Sequence, residues 1–555
     1  MINPYRILGE NLPERLPAAR NAFSADPAAL RAWADGLPRA NQQVYLRELQ
    51  RVLREFRGRR FDGFARLEAL EVLRPMLLEI TTLLAGRLQG SPFPLVGARA
   101  DLARQLLDIH RDLALGYRMA VVEACAPSGK VPFLRGKQVT QALVRALYHH
   151  SRWLAAAYYL YRTPEPGTWA QLYALAAFAA DRKLDSRAVE DSFERREMTA
   201  ALLQNQAILL ALANAYRFSQ REQMELWILT RDTASLIALT PERFAAAGAL
   251  ILIDKDLPPA FVSRAPEPGD GDVYWVDLHK LNDLVRAAVS HAGAAREAMI
   301  RLSRNYQLTM PVEMLKRALE GWSQDASRMF RRLEGGYELY SVLGLTSLHY
   351  QLAGQRDLGE FLDEMRTSPM SIAERANWTG SGVETAYGEV VPAQVRDQSL
   401  GGYRVRWHAE HGVRVRMGEL VGMALPLEDG ARDWSVGTVR WLRYEDDGAI
   451  EAGIDLLARR SQAAALRGLD ANGSSTKALR ALALDGVQGA LEEQARALFL
   501  IDGIVGMDAQ QVEVVHTGKR WDSSQAFGAQ IFNCPGMQAL RRIGDYLVVS
   551  PTESA

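Results

Sequence analysis

Apolar residues recur every three or four positions over most of the first 240 residues. Tyr45, Leu46, Leu49, Val52, Leu53 and Phe56 form one such stripe, and Leu67, Leu70, Leu73, Leu77 and Ile80 form another. That period predicts amphipathic helices. Pro75 falls inside the second stripe and is expected to break or kink it, because proline has no backbone N–H to donate. Ser24-Ala25-Asp26-Pro27 reads as a helix start, with a capping side chain followed by proline in the first turn. Further Ala/Leu-rich runs span residues 102–122, 139–161 and 168–180, separated by Gly90-Ser91-Pro92-Phe93-Pro94, Ala126-Pro127-Ser128-Gly129 and Pro164-Glu165-Pro166-Gly167. Trp169–Ala176 has a faint tetratricopeptide texture, but no second copy stands at a period of about 34 residues. Residues 1–240 are expected to form an α-helical bundle or an irregular solenoid, the bundle being favoured.

The pattern changes near residue 248. Ala249-Leu250-Ile251-Leu252-Ile253 and Val273-Tyr274-Trp275-Val276 are short β-like runs flanking a proline-rich loop. Residues 241–368 are read as helical with this strand pair inserted, the helical period resuming at Leu278 and lasting to about Met365. From residue 370 short apolar runs alternate with turn residues: Glu389–Val395, Tyr403–Trp407, Val413–Val415, Leu420–Leu425, Thr438–Arg443 and Ala452–Leu457. Regular strand spacing of this kind predicts a small antiparallel barrel over 369–470, with Ser461–Leu469 as a closing helix. Asn472-Gly473-Ser474-Ser475 reads as a linker, and 476–555 as a β-rich C-terminal domain. The fold class is multidomain α+β.

The 555 residues carry 66 basic and 66 acidic side chains, a formal net charge of zero. No global field draws in nucleic acid, so any anion site must be built from local arginines. Two cysteines, Cys125 and Cys534, make neither a disulfide framework nor a zinc site and fit a reducing cytoplasm. No signal pattern opens the chain, and no run is long enough to span a bilayer. Phosphate loops and nucleophile elbows are absent. His408 and His411 stand three apart in a β context, where they face opposite sides rather than sharing a metal. The adjacent His149 and His150 read as ordinary helix positions. No catalytic or metal site is expected, no cofactor, and the chain is read as a non-enzyme.

One segment stands apart. Asp397-Gln398-Ser399-Leu400-Gly401-Gly402 reads D-x-S-x-x-G between two β-like runs, with Arg396 before it and Tyr403-Arg404-Val405-Arg406 after it. A carboxylate accepts from a donor edge, a hydroxyl does either, and glycine permits close backbone approach. Adding Gly418-Glu419, Val439-Arg440-Trp441-Leu442 and Ala452-Gly453-Ile454-Asp455 in that order, residues 370–470 resemble PilZ domains, the bacterial receptors for cyclic di-GMP.

The resemblance implies that Asp397 and Ser399 hydrogen-bond the ligand and that Gly402 lets it approach. It also implies an R-x-x-x-R element ahead of the first strand, whose arginines grip phosphates and stack on guanine. At the expected distance upstream stands Arg375, with Ser371 and Thr379 four positions to either side, so half of that grip is missing there. The expected ligand-binding set is Arg375, Arg396, Asp397, Ser399, Gly402 and Arg404, with Arg406 as a further reserve of charge. The implied function is a cytoplasmic signalling receptor or adaptor that binds cyclic di-GMP and passes the signal through its helical platform to a protein partner. The alternative is a PilZ-fold scaffold that contacts proteins without nucleotide.

Overall fold

The computed structural model describes residues 3–20, 22–244, 248–266, 273–323, 332–365, 387–426, 432–445, 447–469, 478–487, 498–502, 511–516 and 530–552. Arg375 and the Asn472–Ser475 linker lie outside the described residues. The chain divides into two compact units, one of Met1–Ser91 with Leu95–Ser327, the other of Pro92–Pro94 with Arg328–Ala555. Helices fill most of the first; an antiparallel barrel with further strands makes the second.

The helices follow the apolar stripes. Pro27–Asp35 starts at the expected cap, Asp26 accepting from the Ala29 amide at 2.8 Å. In Gln42–Gly58 the buried residues are Tyr45, Leu46, Leu49, Val52, Leu53 and Phe56. Gly63–Leu88, by contrast, runs through Pro75 without ending. The lost backbone bond is offset by Leu73, Leu77 and Leu78, all fully buried around it, each stabilised by about 1.5–3 kcal/mol of apolar burial.

Between the helices Gly63–Leu88, Ala98–Ala124 and Gly136–Tyr159 lies a buried polar network that the helical period conceals. Arg74 Nη2 donates to Asp191 Oδ2 at 2.6 Å and Arg145 Nη1 to the same oxygen at 2.9 Å. Arg74 Nε donates to His149 Nε2 at 3.1 Å. His149 must therefore carry its proton on Nδ1, which lies 3.4 Å from His110 Nδ1. Burial first, and Arg74 next, hold His149 well below its ordinary pKa. His149 is thus a neutral, hydrogen-bonded member of a buried network rather than an ordinary helix residue.

Ala249–Leu252 pairs with Val273–Asp277 as the two β-like runs suggested, and Ala238–Thr240 and Ala260–Phe261 extend the sheet to four strands. The stretch read as helical after Leu278 also contains a hairpin, Glu297–Arg301 with Gln307–Pro311. Its buried residues alternate, Ala298 with Ile300 and Leu308 with Met310, a period-two pattern too short to separate from a helical one.

The barrel is built from β1 (Glu338–Leu343), β2 (Val391–Ser399), β3 (Gly402–Trp407), β4 (Leu420–Ala424), β5 (Ser435–Tyr444) and β6 (Ile450–Leu469). Neighbours run β3-β2-β1-β4-β5-β6, and β6 pairs back onto β3 to close the ring. Val395, Val405, Ala452 and Leu442 are successive register partners around it, and all four are fully buried. That row is the inner layer, so residues one position along each strand face outward. Trp407 fills the interior, its indole N–H donating to Ser341 Oγ at 2.9 Å.

β6 corrects one expectation. Ser461–Leu469 does not form a closing helix; it continues β6 beyond the barrel and pairs with β7 (Leu479–Val487) on one edge and β9 (Gln511–His516) on the other. Ala463, Ala464 and Ala465 are fully buried there. Local helix propensity is overridden because both edges of the strand find ladder partners and both faces are covered. With β8 (Leu498–Asp502), β10 (Gln530–Cys534), β11 (Met537–Ile543) and β12 (Tyr546–Pro551), the strands beyond the barrel order as β10-β9-β6-β7-β8-β12-β11. Among the described residues no helix is long and apolar enough to cross a membrane.

Candidate functional site

The D-x-S-x-x-G segment is the tight corner from β2 to β3. The β2–β3 ladder slips between Val395 and Asp397, so Arg396 is an extra residue in the strand and stands exposed. Such a bulge re-aims the residues that follow it. Ser399 pairs with Gly402 across the corner, and its hydroxyl donates to the Gly402 carbonyl at 3.4 Å. Gly402 lies against β6 so closely that a Cβ would come within 1.9 Å of the Ile454 carbonyl oxygen. Only glycine lets β3 and β6 close the ring at this point.

Register then lines up a row on the outer face. Asp397 pairs with Arg404, Arg404 with Gly453, and Gly453 with Trp441. The Trp441 indole lies across Gly453, where an added Cβ would sit 1.9 Å from Nε1. Arg404 donates through Nε (2.7 Å) and Nη2 (2.6 Å) to Glu451 Oε1, and its Nη1 stands 3.7 Å from Asp397 Oδ2. Glu451 is only 4% exposed, and that guanidinium is the cation it is buried against. Arg406, next along β3, is held by Glu445 at 2.6 Å and by Asp447.

The second arginine at Asp397 comes from elsewhere. Leu333–Glu334 pairs alongside β2, and the Gly335 and Gly336 amides donate to the Arg396 and Val395 carbonyls at 3.0 and 2.8 Å. This strap delivers Arg332, whose Nη1 donates to Asp397 Oδ1 at 2.5 Å. Gly335 is as constrained as Gly402, since a Cβ there would lie 2.2 Å from the Val395 carbonyl oxygen. The outer row thus reads cation, carboxylate, cation and flat aromatic. It can accept from a donor edge at Asp397, meet anionic oxygens with two guanidiniums and offer Trp441 as an apolar platform.

The structure brings Asp397, Ser399, Gly402 and Arg404 together and leaves Arg396 exposed beside them. Arg396 has no carboxylate partner among the described residues. Sequence reading missed Arg332, Glu451 and Trp441 as members of the face. The signal for Arg332 was present: Arg328-Met329-Phe330-Arg331-Arg332 is itself R-x-x-x-R and stands just ahead of β1. The helical texture of the stretch from Leu278 to Met365 conceals it, because Glu338–Leu343 taken as helix puts the barrel's first strand too far along the chain. Arg328 lies outside the described residues. Among the described residues no cluster of His, Cys, Asp or Glu is suited to a metal, and His408 and His411 sit at a short helical turn.

A six-stranded antiparallel barrel with D-x-S-x-x-G at its corner and an arginine strap beside it defines a PilZ domain, and the chain belongs to the PilZ family. Comparison narrows this further. The family described as "Cyclic-di-GMP receptor FimW, N-terminal domain" matches residues 28–243, and "Cyclic-di-GMP receptor FimW, middle PilZ domain" matches 249–382 and 382–463. The cyclic-di-GMP receptor FimW of Pseudomonas aeruginosa is 25% identical over 511 residues, which cover 83% of this chain and 82% of that protein. These relatives are receptors, not enzymes. No solved structure matches the chain.

Proposed function

We propose that the chain is a receptor for cyclic di-GMP and that the ligand binds across the outer row of the barrel. The observation that carries this reading is the meeting of Arg332 and Arg404 on Asp397, at the corner the D-x-S-x-x-G motif builds. Cyclic di-GMP carries two phosphodiester charges and two guanines. In this reading Arg332, with Arg328 four residues before it, meets the phosphates, and Arg396 adds charge from the exposed bulge. Asp397 accepts from the guanine N1–H and amino group, Ser399 bonds the same base, and Gly402 keeps the corner low enough for approach. Arg375, from the sequence upstream of β2, would add a further contact. The R-x-x-x-R pair at Arg328 and Arg332 removes the ground for the nucleotide-independent scaffold, which rested on the missing arginine.

The receptor works in the cytoplasm, and binding draws on the strap that Arg332 anchors, so ligand biases where that strap lies. The helical unit carries the signal to a protein partner. Titration calorimetry of the full chain with cyclic di-GMP tests the binding step. We expect saturable heat that is lost in Asp397→Ala; absence of heat in the unaltered chain sinks the receptor reading.

A further inference from the structure

The sequence Lys130-Val131-Pro132-Phe133-Leu134-Arg135-Gly136-Lys137 leads into the helix Gly136–Tyr159. Its tip is a tight turn, the Arg135 amide donating to the Pro132 carbonyl at 3.1 Å. Phe133 is 90% exposed and Leu134 85% exposed, the two most exposed large apolar side chains among the described residues. Leu134 has φ +62°, in a region where glycine or asparagine is the usual choice and leucine is strained. Val131, two residues before the tip, packs on the helical core, so the turn projects from a fixed base. A leucine kept at a strained, solvent-facing position is a candidate for function.

Behind the tip is a cleft of about 460 Å³ whose lining includes Leu134, Lys137, Arg182 and Arg187. Lys130, Arg135 and Lys183 flank these residues in the chain, against the acids Asp181 and Asp185. All six cations are exposed and none is ion-paired to a carboxylate among the described residues, Arg135 lying over the Phe64 ring and Arg182 over the Phe178 ring. In a chain of zero net charge, this is a local excess of positive charge around two bare apolar side chains.

We propose that this face docks the helical unit on an anionic lipid surface. Phe133 and Leu134 enter the acyl boundary, and the cations meet lipid phosphates, one of them seated in the cleft. A single apolar anchor or a single basic patch holds a protein to a membrane only weakly, and stable docking takes both signals. Both are present here within one loop and one helix end. A convex tip with its apolar side chains outward suits insertion into a soft surface. A protein partner would have to supply a matching apolar pocket.

The test sediments the full chain, without nucleotide, with vesicles of phosphatidylcholine alone or mixed with phosphatidylglycerol. We expect binding to the anionic vesicles and at least about tenfold weaker binding to the neutral ones. Phe133→Ser with Leu134→Ser should lower binding at least about tenfold, and Lys137→Glu with Arg187→Glu should do the same, each with an unchanged thermal melt. No sedimentation with anionic vesicles overturns the proposal, as does wild-type binding by either double variant. Capture of an acidic protein through these residues without vesicle binding overturns it too. The assay contains no nucleotide and alters no barrel residue, so its failure leaves the receptor reading intact.

Discussion

Replacing Arg332 by alanine separates what this side chain does for the fold from what it does for ligand. In the free protein Arg332 bonds Asp397 at 2.5 Å, but its side chain is 38% exposed. Asp397 also keeps Arg404 at 3.7 Å. A half-solvated pair of this kind contributes about 0.2–1 kcal/mol, so Arg332→Ala should change the unfolding midpoint only slightly. A charge-assisted contact to a phosphodiester is worth about 1.5–3 kcal/mol, which is roughly a 10- to 150-fold loss of affinity at about 1.4 kcal/mol per decade. The assay is calorimetry with cyclic di-GMP on the variant and the unaltered chain, with a denaturation curve for each. Near-wild-type affinity, within about threefold, would refute the assignment of Arg332 to the ligand face. A large loss of stability instead would show that the strap serves the fold.

Two further outcomes follow from the geometry. Gly402→Ala places a methyl 1.9 Å from the Ile454 carbonyl oxygen, which forces β3 from β6; a destabilisation of about 1–3 kcal/mol or more is expected, and an unchanged denaturant midpoint would contradict it. His349 is buried, bonds the Ala464 carbonyl at 3.1 Å and is held down to about 4 by burial, against 6.5 when unfolded. The folded pKa lies below the unfolded one, so its stabilisation is complete above pH 6.5 and is lost as pH falls toward 4. About 2 kcal/mol from this group should be gone at pH 5, and His349→Phe should make the profile shallower by that amount, the buried His149 still contributing its own share; an equally steep profile in the variant counts against it.

The parts of this molecule that could be read from its sequence were those set by local rules. Leu49, Val52, Leu53 and Phe56 declare a helix because neighbours on one face must share a core. Asp397, Ser399 and Gly402 declare a corner because only those residue types fit it. What escaped was decided by distant partners. Ala463–Ala465 favour a helix until β7 and β9 are paired to them. Arg332 becomes a site residue only when its strap is laid along β2. His149 looks ordinary until Arg74 and His110 arrive from two other helices. In each case the missing knowledge was a contact across tens of residues, which no periodicity encodes.

β6 carries a consequence for how the PilZ barrel can be handled. One strand of 20 residues serves two parts of one continuous sheet, its first half closing the ring and its second half carrying β7 and β9. Cutting the chain after Leu469 would leave Ala463, Ala464 and Leu466 on a naked strand with both edges unsatisfied, an invitation to pair with other molecules. The ring and the strands beyond it are therefore one piece of cloth woven on a shared thread, and the smallest portable nucleotide sensor from this chain should extend well past the barrel itself.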